Sequence, residues 1–271
     1  MSELESGSDV ADWWRTSIID MEPGRIAIRG QPIETLIGTV SFPQMIWLTV
    51  TGEAIEGRRA GLLEAALVAA VDHGPQAPAI AIARMAMTCG VGINNAMASA
   101  LNVLGDVHGG AGEQAVALYG DIARRIDDGK ALDKAVTAVL DVWRGAHGAY
   151  IAGFGHRFHK PVDPRAPRLL GLVDEAAAEN AVSGRFAQIG RAIETHLAAE
   201  KGTAVPMNID GATAVIYAEL GCPPPLARGL LCLSRAVGIH AQAFEQSQQG
   251  GRNKGPTPPG YRWTYEGPDH E

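Results

Sequence analysis

The stretch Ala79-Ile-Ala-Ile-Ala-Arg-Met-Ala-Met-Thr-Cys-Gly-Val-Gly-Ile-Asn-Asn-Ala-Met-Ala-Ser-Ala-Leu-Asn-Val-Leu104 decides the fold class. It is apolar and small nearly throughout and far too long for a strand. It reads as one or two buried helices whose Ala and Gly residues allow close helix–helix contact. Upstream, Leu62, Leu63, Ala66, Leu67 and Ala70 fall on one helical face within 58–72, until His73-Gly-Pro-Gln-Ala-Pro breaks the pattern. Downstream, a glycine-rich turn from Gly105 to Gly112 contains His108. Amphipathic helices are then expected over 113–126 and 131–143, joined at Asp127-Asp-Gly-Lys.

The remaining segments repeat this period. Leu169, Leu170, Leu172 and Val173 begin a helix ending near Asn180, and Phe186, Ile189, Ile193 and Leu197 mark the next. Ala212, Val215, Ile216 and Leu220 mark a short helix stopping at Gly221. Leu226, Leu230, Leu233 and Val237 mark a longer one through about Gln246. Toward the N-terminus, Pro32 opens a short helix. Ser41 is a good N-cap, with Pro43 in the first turn of a helix that Gly52 ends. Only Gly24-Arg-Ile-Ala-Ile-Arg-Gly30 alternates like a short strand or hairpin arm. Residues 1–12 are expected to form a flexible tail and 247–271 an extended one. With helical periods dominant, the fold is expected to be all-α.

At 271 residues, 46% hydrophobic and 20% charged, the chain can bury a real core as a globular protein. A net charge of -7 argues against non-specific nucleic-acid binding, so an anion site must be a local basic pocket. No apolar run approaches a membrane span. The acidic, polar N-terminus is the reverse of a targeting peptide, and a cytoplasmic location is expected. Cys89, Cys222 and Cys232 are odd in number and lack metal-ligand spacing, so they are expected to be reduced and structural.

The chemistry concentrates in 151–165, Ile-Ala-Gly-Phe-Gly-His-Arg-Phe-His-Lys-Pro-Val-Asp-Pro-Arg. Pro161 and Pro164 make this a loop or helix boundary, and Gly153 and Gly155 permit close backbone approach. Arg157, Lys160 and Arg165 beside imidazoles suit an anionic ligand with a proton to move. Four polar groups sit at breaks between apolar helices: His73, His108, His156 and Asp210. Helix ends can aim side chains into one cleft, where imidazoles and a carboxylate supply an acid, a base and an oxyanion donor. His73 also suits a helix cap and Asp210 the N-cap of its helix. Arg235 lies among Leu231, Leu233 and Val237. Buried there, it needs a bound carboxylate or an internal Asp. His147, His159, His196 and His240 are expected to be structural or exposed.

Gly105-Asp-Val-His-Gly-Gly-Ala-Gly-Glu resembles the G-x-x-H-G-G-A-x-E block of citrate synthases. Gly153-Phe-Gly-His-Arg through Asp163-Pro-Arg165 resembles their G-x-G-H-R…D-P-R block, and Pro206-Met-Asn-Ile-Asp210 is similar to a third. Their order is right, and the resemblance spans roughly residues 16–246. Only about twenty residues separate Glu53 from His73, where citrate synthases carry a long helical insert. That compact layout is similar to citryl-CoA lyases, although His108 is the synthase-like choice.

The resemblance implies a citrate synthase-like helical fold. A large domain would comprise 1–115 and 222–271, and a small one, 116–221, would close over the cleft. It implies a homodimer, for which the small-residue helices at 79–104 are interface material. Asp210 would exchange a proton with the acyl-CoA methyl carbon. His108 would hydrogen-bond the thioester oxygen, and His156 would bind the hydroxy-acid oxygen and move its proton. His73, Arg165 and Arg235 would bind carboxylates. Gly153, Gly155, Arg157 and Lys160 would lie along CoA, and Arg252 or Lys254 would reach a neighbouring subunit's site. The chemistry needs no metal or redox cofactor, only a coenzyme A thioester. The activities implied are cleavage of citryl-CoA or a related 3-hydroxy-3-carboxyacyl-CoA, condensation as in citrate or methylcitrate synthase, or non-catalytic acyl-CoA binding.

Overall fold

A computed structural model describes residues 12–268, so all but the last residue of the expected tail over 1–12, and residues 269–271, lie outside the described residues. Chain contacts define two compact units, Met1–Glu64 and Ala65–Glu271.

The first unit carries a three-stranded antiparallel sheet in the order β1 (Ile19–Glu22), β2 (Arg25–Ile28), β3 (Gln31–Pro32), which extends the expected hairpin arm by one strand. Short α1 (Ile33–Leu36) follows, then α2 (Phe42–Thr51). Ser41 and Gln44 form a reciprocal capping box on α2, with Pro43 in its first turn. The Arg29 side chain donates to the Thr49 carbonyl at 2.9 and 3.1 Å, placing a cation against the last turn of α2, where the helix dipole favours it.

After α3 (Gly57–Ala69), the second unit is wholly helical. The deciding stretch folds as two helices, α4 (Pro78–Thr88) and α5 (Ile93–Leu101). Their Ala79, Ile80, Ala83, Ala96 and Ala100 are fully buried against Ile239 and Ala243 of α11 (Pro224–Gln249), so this apolar face is consumed inside the chain. The helices between are α6 (Ala111–Asp127), α7 (Leu132–His147), α8 (Arg165–Ala178), α9 (Arg185–Lys201) and α10 (Ile209–Glu219). α10 is enclosed by α6, α8 and α9, and α11 packs on α4, α5 and α6.

Two details depart from the sequence expectation. The N-cap of α10 is Asn208, whose Oδ1 accepts from the Asp210 and Gly211 N–H groups at 3.0 and 3.2 Å; Asp210 lies in the first turn, its carboxylate free of capping. The C-terminal segment is also less extended than its composition implies. α11 runs to Gln249, and the backbone N–H groups of Asn253 and Lys254 then bond Thr88 at the end of α4.

α11 also fixes the segment before His73. A Cβ on Gly238 would lie 2.0 Å from the Val71 carbonyl oxygen, so only glycine lets this helix pass so close to Val71-Asp72. Among the described residues no helix is long and apolar enough to cross a membrane.

Candidate active site

His108 stands in the turn between α5 and α6, which closes on itself through the Gly105 N–H and the His108 carbonyl at 2.9 Å. Its ring reaches across 29 residues to the start of α4, where the Ala79 N–H donates to Nε2 at 3.2 Å. α4 has no other side-chain cap, so His108, rather than His73, satisfies one of its orphan N–H groups. A nitrogen that accepts an N–H is bare, so the proton of the neutral ring sits on Nδ1. Burial first, and then Arg235, lower the proton affinity of His108. The ring is therefore neutral at pH 7, a donor through Nδ1 alone.

His156 has the opposite tautomer. The loop turns so that the N–H groups of Phe158 and His159 both donate to its Nδ1 at 3.0 Å. The ring proton is left on Nε2. Burial, followed by the charge of His159, keeps this ring below the ordinary histidine value. His73 stands edge-on to it, with ring centroids 5.9 Å apart. Burial and the charges of Arg235, Arg165, His156 and His108 lower His73 as well.

Asp210 is brought to this loop by a backbone junction. The Asn208 N–H donates to the Gly153 carbonyl at 3.0 Å, the Gly155 N–H to the Pro206 carbonyl at 2.7 Å, and Asn208 Nδ2 to the Gly155 carbonyl at 2.8 Å. Gly153, at φ +87°, would place a Cβ 2.8 Å from the Gly211 Cα. The close approach anticipated at Gly153 is thus to the chain's own α10, whose first turn carries Asp210. Asp210 is half-buried as a residue, and its carboxyl sits deep among protein atoms. Burial raises its proton affinity, opposed by the charges of Arg235 and Arg165.

The cations are partly committed. Arg165 forks onto the fully buried Asp163, Nε to Oδ1 at 2.9 Å and Nη2 to Oδ2 at 2.8 Å, which leaves Nη1 and one Nη2 hydrogen for a ligand carboxylate. Burial alone would raise Asp163, but these bonds outweigh it and hold the carboxyl low. Arg235 is 7% exposed and donates from Nε to the Ala70 carbonyl at 2.9 Å. Burial lowers its proton affinity, and the Asp210 and Asp72 carboxylates counter that. The internal acids needed by a buried cation are thus present.

These groups surround a cavity of about 1370 Å³ lined by His73, His108, His156, Arg165, Tyr150 and Asn208, among others. Gly155 and Arg157 also line it. Asp210 and Arg235 do not line it, although Arg235 is near enough to act electrostatically on His73 and His108, and Asp210 on Tyr150; Gly153 is buried in the junction, and Lys160 is exposed outside the lining. Two residues of the wall were not singled out by the sequence. His159, expected to be structural or exposed, has its ring 4.4 Å from that of His156; its position three residues along the same loop is the signal that could have found it. Asp72 has one buried carboxylate oxygen, Oδ1, with no hydrogen-bond partner among the described residues, while Oδ2 accepts from Gln242 at 3.1 Å.

The cleft wall offers two neutral imidazole donors and the Arg165 fork, and close to it but outside the lining are Arg235 and the Asp210 carboxyl of raised proton affinity. A carbonyl oxygen that gains negative charge would find donors there, and an adjacent carbon a proton source. No group of His, Cys, Asp and Glu among the described residues is arranged to hold a metal ion.

A family model described as "Citrate synthase, C-terminal domain" matches residues 51–256. A citrate synthase from Haloferax volcanii is 32% identical over 219 residues, covering 80% of this chain and 53% of the relative. The chain spans about half the length of the curated relatives it matches. A citryl-CoA lyase structure from Hydrogenobacter thermophilus matches with a TM-score of 0.81 at 27% identity, over 95% of this chain and 97% of that one. The structure of ATP citrate lyase from Methanothrix soehngenii, in complex with citrate and coenzyme A, matches with a TM-score of 0.76 over 98% of this chain and 45% of that one. At 18% identity this is a likeness of fold alone.

Proposed function

The chain belongs to the citrate synthase family, and from that premise we propose that it is a carbon–carbon lyase, splitting citryl-CoA or a related 3-hydroxy-3-carboxyacyl-CoA into acetyl-CoA and a 2-oxo acid. One observation carries the choice of direction. The citryl-CoA lyase structure is matched over 97% of its length, whereas the citrate synthase relative, whose family carries a long helical insert where this chain has about twenty residues between Glu53 and His73, is matched over 53% of its own.

In this reading the bond between the thioester's α-carbon and the hydroxyl-bearing carbon breaks. Its electrons pass into the thioester, whose oxygen receives the His108 Nδ1–H. Asp210, whose proton affinity burial raises, delivers its proton to the α-carbon and leaves a methyl group. The His156 Nε2–H donates to the oxygen that becomes the carbonyl of the oxo acid, and the hydroxyl proton is taken by the substrate carboxylate on the same carbon, which releases it once the product leaves. His73, Arg235 and the free side of the Arg165 fork hold the carboxylates. Arg157 meets CoA from the cavity wall, and Lys160 from outside it. The segment 116–221, closing as a small domain over the rest, excludes water from the enolate. The working molecule is a cytoplasmic homodimer with no metal and no nucleic-acid or membrane partner.

The condensing direction is the second reading. The Haloferax volcanii relative is named a citrate synthase, and a ring that presents Nε2–H is already an acid toward an oxo-acid carbonyl. Incubation with citryl-CoA, and separately with acetyl-CoA plus oxaloacetate, decides between them. Oxaloacetate release from the first mixture is the expected result. Free CoA from the second mixture alone would replace cleavage with synthesis, and silence in both would leave acyl-CoA binding without turnover.

A further inference from the structure

We propose that His159 is a positioning residue for His156: its backbone N–H bonds Nδ1 at 3.0 Å and its ring lies tilted by 36° against the His156 ring at 4.4 Å, holding that imidazole as a neutral donor whose proton points from Nε2. The proposal rests on the reading of His156 as the group that meets the hydroxy-acid oxygen.

Two features of the loop do different work. The paired N–H groups of Phe158 and His159 select the tautomer and would resist a proton arriving on Nδ1. The His159 ring resists a positive charge on His156 by being a second protonatable imidazole in contact with it. With the rings 4.4 Å apart, a charge on the His159 side of the pair disfavours a charge on His156. The surrounding charges do not cancel this repulsion. Asp163 on the same loop favours charge on His156, but its carboxylate is forked onto Arg165, whose own charge opposes it. Arg157 and Lys160 flank the pair in sequence. Across the cavity stand His73, edge-on to His156, and Lys201 of α9. Within this set the His159 charge is the largest electrostatic influence on His156.

His156 therefore remains a neutral donor to lower pH than it would beside an uncharged neighbour. His159→Phe keeps a ring in contact and keeps the backbone N–H while removing the ionisable ring nitrogens. His159→Gln removes the ring as well and serves as a second uncharged variant. The measurement is the titration of the His156 ring nitrogens by NMR in the ligand-free protein, with circular dichroism to verify the fold. The midpoint of His156 is expected to rise by about half to one pH unit in both variants. A His156 midpoint that stays put in both folded variants would overturn the proposal. The NMR titration needs no turnover, so inactivity of the wild-type protein toward citryl-CoA would count against the lyase reading and leave this test standing.

Discussion

Asp210→Asn is expected to lower kcat for the acyl-CoA substrate by about 10²–10⁴-fold, the range that a positioned general acid contributes, with KM within a few fold of wild type. The substitution is nearly isosteric. It leaves the cap on α10 intact, because Asn208 makes that cap and the Asp210 backbone N–H still donates to it. It removes a carboxyl whose proton affinity burial raises. The direction of that shift also sets the pH dependence. A carboxyl whose affinity is raised keeps its proton further toward neutral pH, so in the cleavage direction the acid form is lost, and the rate falls, as pH rises through its titration. In the Asn variant this alkaline limb disappears together with most of the rate. Steady-state kinetics across pH would check both, and an unchanged kcat would remove Asp210 from the proton-transfer role.

His108→Ala should show two effects at once. Loss of a donor to the thioester oxygen is expected to cost about 10²–10³-fold in kcat, as for other oxyanion donors. The Ala79 N–H simultaneously loses its acceptor at the start of α4, which is expected to lower stability by about 1 kcal/mol. Urea unfolding and kinetics on one preparation separate the two. A fall in stability with kcat intact would make His108 a helix cap and nothing more.

Helical period and motif order were legible because both are local. The alanine-rich stretch 79–104 could hardly form anything but buried helices, and Ser41-x-x-Gln44 announced its helix start through capping chemistry. The four polar groups at helix breaks were legible for the same reason, since breaks can be read from Gly and Pro. What the sequence concealed were contacts between distant segments. Nothing near His108 indicates that its ring caps a helix beginning 29 residues earlier. Gly153 looked like a glycine making room for a ligand, yet it makes room for Gly211, a partner visible only once the loop and α10 are folded together. Arg165 was assigned to a substrate carboxylate, and half of its fork turned out to be held by Asp163, two residues away. That pairing was available in the sequence, but only the loop's turn brings the two side chains into register.

Turnover by the proposed route requires His108, His156 and Asp210 to act on one thioester. The most direct measurement is proton exchange at the methyl group of acetyl-CoA, followed by NMR in D₂O with a non-reacting dicarboxylate analogue of the oxo acid bound. Wild-type protein is expected to replace methyl hydrogen by deuterium, and the Asp210→Asn and His108→Ala proteins to lose that exchange while still binding acetyl-CoA. Exchange at the wild-type rate in both variants would contradict it.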